Sequence, residues 1–300
     1  MTSTVAAVAE LFESLWPESG AEPWDAVGLV VGSGSHPVDT ILLAVDAVGD
    51  TVDEAVDLGA QLFLTHHPLL LRGVTTVAED RYKGALIARL IRADCALFAA
   101  HTNADVVSSG TSGTLASLLG LTELESLDGR SDGPAALSGP RVLAPSVLAP
   151  SVLGDSVTGE SVSGIGRFGR LPDPVSLGRL ARTLADLLPA TATGVRVAGD
   201  YDAEISTVAL CAGAGDGYLS SPLVVSADVF ITSDLRHHSA SEARENAKLA
   251  GGPALIDISH WASEWLWLDT AAVQLRAALP DVRIVVSELR TDPWDFVVTQ

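Results

Sequence analysis

This 300-residue chain is short of cysteine and of basic residues: two cysteines, and 18 Lys plus Arg against 38 Asp plus Glu. Cys95 and Cys211 stand alone in apolar runs and form no CxxC pair. That excludes a disulfide framework and a cysteine zinc or redox site, and both are expected to be reduced core residues. The net charge of −20 argues against a nucleic-acid partner, because phosphate recognition relies on clustered Lys and Arg, and no basic groove is visible. Long apolar runs are also missing. Despite a mean hydropathy of +0.32, stretches such as Val142–Gly154 and Gln61–Leu71 are too short or too polar to span a bilayer, so no membrane association is expected. The first residues place no cationic segment ahead of an apolar core, so a secretory signal is not expected and a cytoplasmic location is. There is no GxxxxGK[ST] loop for a triphosphate, and Gly213-Ala-Gly-Asp-Gly217 reads as a simple turn after a strand.

What is there reads as alternating strands and helices. Val5, Val8, Leu11, Phe12, Leu15 and Trp16 recur at helical spacing ahead of Pro17, which predicts an amphipathic first helix. Ile41–Val45, Leu62–Thr65 and Ala96–Ala100 read as buried strands separated by helical patterns near Val52–Leu58 and Gly84–Ile91. The alternation returns with strands at Val208–Cys211, Val229–Thr232 and Ala254–Ile258 and helices near Ser239–Ala250 and Trp261–Leu279. Thr40–Thr65 and Thr207–Thr232 are equal in length and place apolar residues in the same register, which favours an internal duplication. The expected organisation is a first α/β lobe over 1–126, a Ser/Pro/Gly-rich insertion over 127–160 that repeats Val-Leu-Ala-Pro-Ser, and a second α/β lobe over 161–300.

The chemistry concentrates at strand ends. His66 and His67 follow the apolar strand directly and Pro68 stiffens the turn that presents them, where open α/β sheets bind ligands. Asp105 follows a second strand. His260 and Glu264 follow a third, one helical turn apart and therefore on one face. Taken singly, each histidine is a core residue by default. Together these residues form a ligand constellation of imidazole nitrogens and carboxylate oxygens, suited to Zn²⁺, Mn²⁺, Fe²⁺, Co²⁺ or Ni²⁺ rather than Ca²⁺. Five ligands exceed a closed tetrahedral zinc site, whereas a carboxylate-bridged pair of ions uses all five, so two divalent metal ions are expected.

The motifs Trp24-Asp-Ala-Val-Gly-Leu-Val-Val-Gly32, Thr65-His-His-Pro-Leu69, Ala100-His-Thr-Asn-Ala-Asp105, Ile231-Thr-Ser-Asp234 and His260-Trp-Ala-Ser-Glu264 extend the pattern. With them the chain resembles the Nif-three-like family, whose members are called GTP cyclohydrolase 1 type 2 homologues. The resemblance runs from the first helix to Thr291-Asp-Pro293 and includes Gly164-Ile-Gly-Arg-Phe-Gly169. It implies two similar α/β lobes with a dinuclear metal site between them, and a toroidal homohexamer. Carried over by position, the metal ligands fall on His66, His67, Asp105, His260 and Glu264, with Glu264 bridging. Thr65, Asp46, His101 and His238 match family positions near the site. The chain departs from the family pattern at Ala26 (usually Asn), Ser233 (usually Gly) and Trp261 (usually Tyr), which touches the substrate pocket and no ligand.

The function expected from this is a metal-dependent hydrolase acting on a small molecule, GTP or another purine-like substrate, with Glu264 and His101 as its catalytic residues. The alternative is a non-catalytic metal-binding scaffold or regulatory protein that works through protein partners.

Overall fold

In chain order the strands are β1 (Gly28–Val31), β2 (Thr40–Ala44), β3 (Leu62–Thr65), β4 (Ala96–Ala99), β5 (Thr122–Glu125), β6 (Arg167–Ser176), β7 (Arg196–Ala198), β8 (Glu204–Ala214), β9 (Val229–Ser233), β10 (Ala254–Ile258) and β11 (Arg283–Val286). The helices are α1 (Val5–Leu15), α2 (Gly49–Asp57), α3 (Tyr82–Arg92), α4 (Thr102–Asp105), α5 (Thr111–Leu118), α6 (Leu177–Leu187), α7 (Pro222–Ser226), α8 (His237–Ala250) and α9 (His260–Ala278). This is a computed structural model that describes residues 3–129 and 162–299. Most of the expected insertion, with its tandem Val-Leu-Ala-Pro-Ser, lies outside the described residues. Its first residues are described: the Leu127 amide donates to the Ile165 carbonyl, and Asp128 accepts from the Ile165 amide. No described helix is long and apolar enough to cross a membrane.

The chain forms two compact units, Met1–Val107 with Leu268–Thr291, and Ser108–Trp267 with Asp292–Gln300. The first is built on a sheet of order β1-β4-β3-β2-β11, parallel except for β1. Its central strands are almost wholly apolar because both faces are covered, as parallel strands require. Leu42, Phe63 and Leu97 pack with Val52 and Ala55 of α2 and with Leu86 and Leu90 of α3. On α1, Thr4 caps the first turn by accepting from the Ala7 amide, and Val5, Val8 and Phe12 turn inward. Phe12 meets Phe98 of β4 edge-on at 4.9 Å. Burying side chains of this size stabilises by about 2–3 kcal/mol each.

The second unit has a sheet of order β5-β6-β8-β9-β10-β7 with a parallel centre, β8-β9-β10. On one face Val208, Leu210, Ile231 and Ile256 pack with Leu115 of α5 and with Leu180 and Leu184 of α6. On the other, Ala209, Cys211 and Phe230 pack with Val224 of α7 and with Ala240 and Ala243 of α8. Each unit therefore sets three parallel strands side by side in chain order, β2-β3-β4 and β8-β9-β10. In each, a histidine stands two residues beyond the third strand, His101 after Ala99 and His260 after Ile258.

Candidate metal centre

The parallel register brings the strand ends of the first unit into line, because Ala44 pairs with Thr65 and Thr65 with Ala99. Asp46, His66 with His67, and His101 therefore leave the sheet at one edge. Their backbones are fixed there. The His66 and His67 amides donate to the carbonyls of Ala44 and Val45 at 3.1 and 2.8 Å, which continues the ladder past the strand, and the Thr65 hydroxyl donates to the His67 carbonyl. Thr51, fully buried, donates its hydroxyl to the Asp46 carbonyl at 2.7 Å. Buried Asn103 accepts from the His101 amide and donates to the Trp16 carbonyl, tying the third loop to the end of α1.

His66, His67 and His101 bring a ring nitrogen each to within 4.8 Å of one another. Hydrogen bonds decide which nitrogen. His66 Nδ1 lies 2.9 Å from the Ala100 carbonyl, which can only accept, so Nδ1 carries the proton. His67 Nδ1 donates to Asp46 Oδ1 at 2.7 Å, while Thr291 donates to Asp46 Oδ2. His101 Nδ1 donates to Asp25 Oδ1 at 2.9 Å. With each ring neutral, as a metal ligand must be, Nε2 holds the lone pair. A carboxylate or carbonyl behind each ring is the arrangement that orients metal-binding histidines and raises their basicity. Asp105, at the end of α4, places Oδ1 3.6 Å from His66 Nε2.

Asp25 is the most constrained group here. Its side chain is fully buried and accepts from four donors: the Ala26 amide, His101 Nδ1, the Thr102 amide and the Thr102 hydroxyl. Burial alone would raise its pKa, but the hydrogen bonds from His101 and Thr102 and the nearby imidazole outweigh burial and hold the carboxyl well below the usual carboxylate range.

The second unit carries the matching pair. Ser259 caps α9 by accepting from the Ala262 amide, so His260 and Glu264 lie one turn apart on its first turns. His260 Nδ1 donates to Asp234 Oδ2 at 2.7 Å, and His260 Nε2 lies 2.9 Å from Glu264 Oε1. Burial disfavours a charged imidazole at His260. The Glu264 charge and the bonds to Asp234 and Glu264 outweigh it, so the imidazolium is held well above the ordinary histidine range. Hydrogen bonding to His260 holds the Asp234 carboxyl low against burial. The positions that carry that proton would also carry a divalent cation, and binding the cation releases the proton. Gly213 shows how closely the pair is cradled: a Cβ there would sit 2.4 Å from Glu264 Oε1 and 3.4 Å from His260 Nε2, at a φ of +75°. Its amide is held by buried Ser263 and its carbonyl by Thr232.

The structure thus groups His66, His67 and Asp105 in one unit and His260 with Glu264 in the other. His101, expected near the ligands, offers a ring nitrogen on the same terms as His66 and His67. His238 is exposed on α8, its ring against that of His237. Sequence reasoning assigned no role to Asp25 or Asp234. The available signal was that each is the acidic residue of a motif already singled out, Trp24-Asp and Ile231-Thr-Ser-Asp234. The donor set of imidazole nitrogens and carboxylate oxygens, with the nitrogens selected by second hydrogen bonds, fits a first-row divalent metal.

A sequence profile of the family described as Duf34/NIF3 (NGG1p interacting factor 3) matches residues 3–293. A Streptomyces coelicolor protein named GTP cyclohydrolase 1 type 2 homolog is 43% identical over 291 residues, which cover 96% of this chain and 92% of the relative. A Mycobacterium tuberculosis protein of the same name is 35% identical, over 99% of this chain and 98% of its own length. Among solved structures, a Bacillus cereus protein related to NIF3 superposes with a TM-score of 0.80 at 25% identity, covering 99% of each chain. A Staphylococcus aureus protein gives 0.79 at 27% identity, over 99% of this chain and 100% of that one.

Proposed function

Because the chain belongs to the Duf34/NIF3 family, we propose that it is a two-metal hydrolase of a small purine-like substrate. His66, His67, Asp105, His260 and Glu264 would hold two divalent ions drawn from Zn²⁺, Mn²⁺, Fe²⁺, Co²⁺ and Ni²⁺. Bound there, such ions lower the pKa of water and polarise the bond under attack. The observation that carries the reading is the bond behind each ring: His66, His67, His101 and His260 each commit Nδ1 to a carbonyl or carboxylate, the arrangement that orients metal-binding histidines.

The chain's own groups divide the remaining work. His101 Nε2, backed by Asp25, takes a proton from the attacking water and returns it to the leaving group. Glu264, 3% exposed, would hold the ions together with the histidines. The purine class is suggested by the names of the relatives, GTP cyclohydrolase 1 type 2 homologs. A toroidal homohexamer in the cytoplasm is the proposed assembly and location.

The test is turnover by metal-loaded protein on GTP and on a panel of phosphoesters, with His66→Ala and Glu264→Ala as controls. The reading expects activity on at least one substrate, lost in both variants. Activity that survives both substitutions overturns it. Full metal loading with no turnover on any substrate favours a non-catalytic scaffold that acts through protein partners.

A further inference from the structure

Trp24 is 59% exposed, yet it adjoins Asp25, whose side chain is fully buried. Its ring centroid lies 5.9 Å from that of His101, with the planes at 76°. The His101 ring in turn lies 5.2 Å from His66 and 5.5 Å from His67. A large flat apolar ring therefore stands in solvent at the border of the histidine cluster.

The backbone that carries this ring is held on both sides. Asp25 accepts four hydrogen bonds, its amide donates to the Glu22 carbonyl at 3.0 Å, and the Glu22 amide donates to Thr102 Oγ1 at 2.9 Å. Trp24 is thus presented by a loop bonded to the same residues that orient His101. A held, exposed indole needs little reordering to stack on a ligand, which is how preorganised aromatic groups gain affinity. Planar heteroaromatic rings stack on aromatic side chains whatever their hydrogen-bonding edges, because every base has a π-face.

We propose that Trp24 is the stacking wall of the substrate site: its indole takes the planar heteroaromatic ring of the substrate and positions it beside His101. This rests on the reading of the site as one for a purine-like molecule, and it assigns the recognition of the ring to one residue. Trp24 is a positioning residue. It holds no metal and moves no proton.

The experiment is equilibrium dialysis of metal-loaded protein against 7-deazaguanosine. This probe keeps the planar ring but has no phosphoester and no C8–N7 bond to hydrolyse; methyl riboside is the ring-free control. Wild type is expected to bind the probe, Trp24→Ala to bind it roughly five- to a hundredfold more weakly, and Trp24→Phe to stay within a few-fold of wild type. Metal content and melting temperature should be unchanged in both variants, since the ring is exposed. Failure of the wild type to bind the probe, equal binding by Trp24→Ala, or binding of methyl riboside as tight as that of the probe overturns the proposal. The two readings fail separately: a Trp24-dependent affinity without turnover of any purine nucleotide refutes the hydrolase and keeps the stacking wall, and turnover with Trp24-independent affinity does the reverse.

Discussion

Asp25→Asn changes one oxygen to an amide in a carboxylate that has no exposed surface and accepts from four donors. Asparagine offers one accepting oxygen. If that oxygen faces Thr102, the new NH₂ faces the Ala26 amide and His101 Nδ1, both of them donors. His101 can relieve one conflict by moving its proton to Nε2, so that Nδ1 accepts. One buried donor then stays opposed, and a charge-assisted bond becomes neutral, for a cost of about 2–3 kcal/mol. The more specific consequence is at His101, whose Nε2 now carries hydrogen and no longer has a lone pair for the site.

Urea unfolding of metal-free protein measures the first effect, and imidazole ¹⁵N shifts measure the second. The pH dependence has a definite sign. The folded pKa of Asp25 is depressed, so its contribution is complete above the ordinary aspartate pKa of about 4 and is lost as pH falls through the lowered folded value. The stability gap between wild type and Asp25→Asn should hold from neutral pH to about pH 4 and narrow only below it. A variant within about 0.5 kcal/mol of wild type, with His101 still protonated on Nδ1, would refute the reasoning.

Gly213→Ala puts a methyl group 2.4 Å from Glu264 Oε1 at a left-handed φ; it should destabilise by about 1–3 kcal/mol and lower the metal content, checked by thermal melting and elemental analysis. Ser233 is fully buried and its hydroxyl has no hydrogen-bond partner among the described residues, so Ser233→Ala should leave the melting temperature unchanged or raise it; a clear drop would mean that the hydroxyl is bonded. Burial pushes the Cys95 thiol up to about 12, so it should resist alkylation at pH 8 in native protein and react once the protein is unfolded in urea.

The strands that build the site were legible because they are the most buried. Ile41–Val45, Leu62–Thr65, Ala96–Ala100, Val208–Cys211, Val229–Thr232 and Ala254–Ile258 are mostly apolar, and each overlaps an observed parallel strand. The short outer strands left weaker traces. β5 is Thr-Glu-Leu-Glu and largely exposed, and β7 is three residues long. Helix α5 carries Thr, Ser and Gly, which have low helix propensity, yet it is buried from Thr111 to Ala116. Ligand candidates could be read from chemical type and strand-end placement. Their supports could not, because Asp25 lies 76 residues from His101 and Asp234 lies 26 from His260, and only the folded register brings each carboxylate behind its ring.

The central claim is that His66, His67, Asp105, His260 and Glu264 hold two divalent ions. Elemental analysis of protein purified without an affinity tag, then reconstituted and dialysed, tests it most directly. Two ions per chain in wild type, with a clear loss in His67→Ala and in Glu264→Ala, is the predicted result. Fewer than one ion per chain after reconstitution, or full occupancy in both variants, would contradict it.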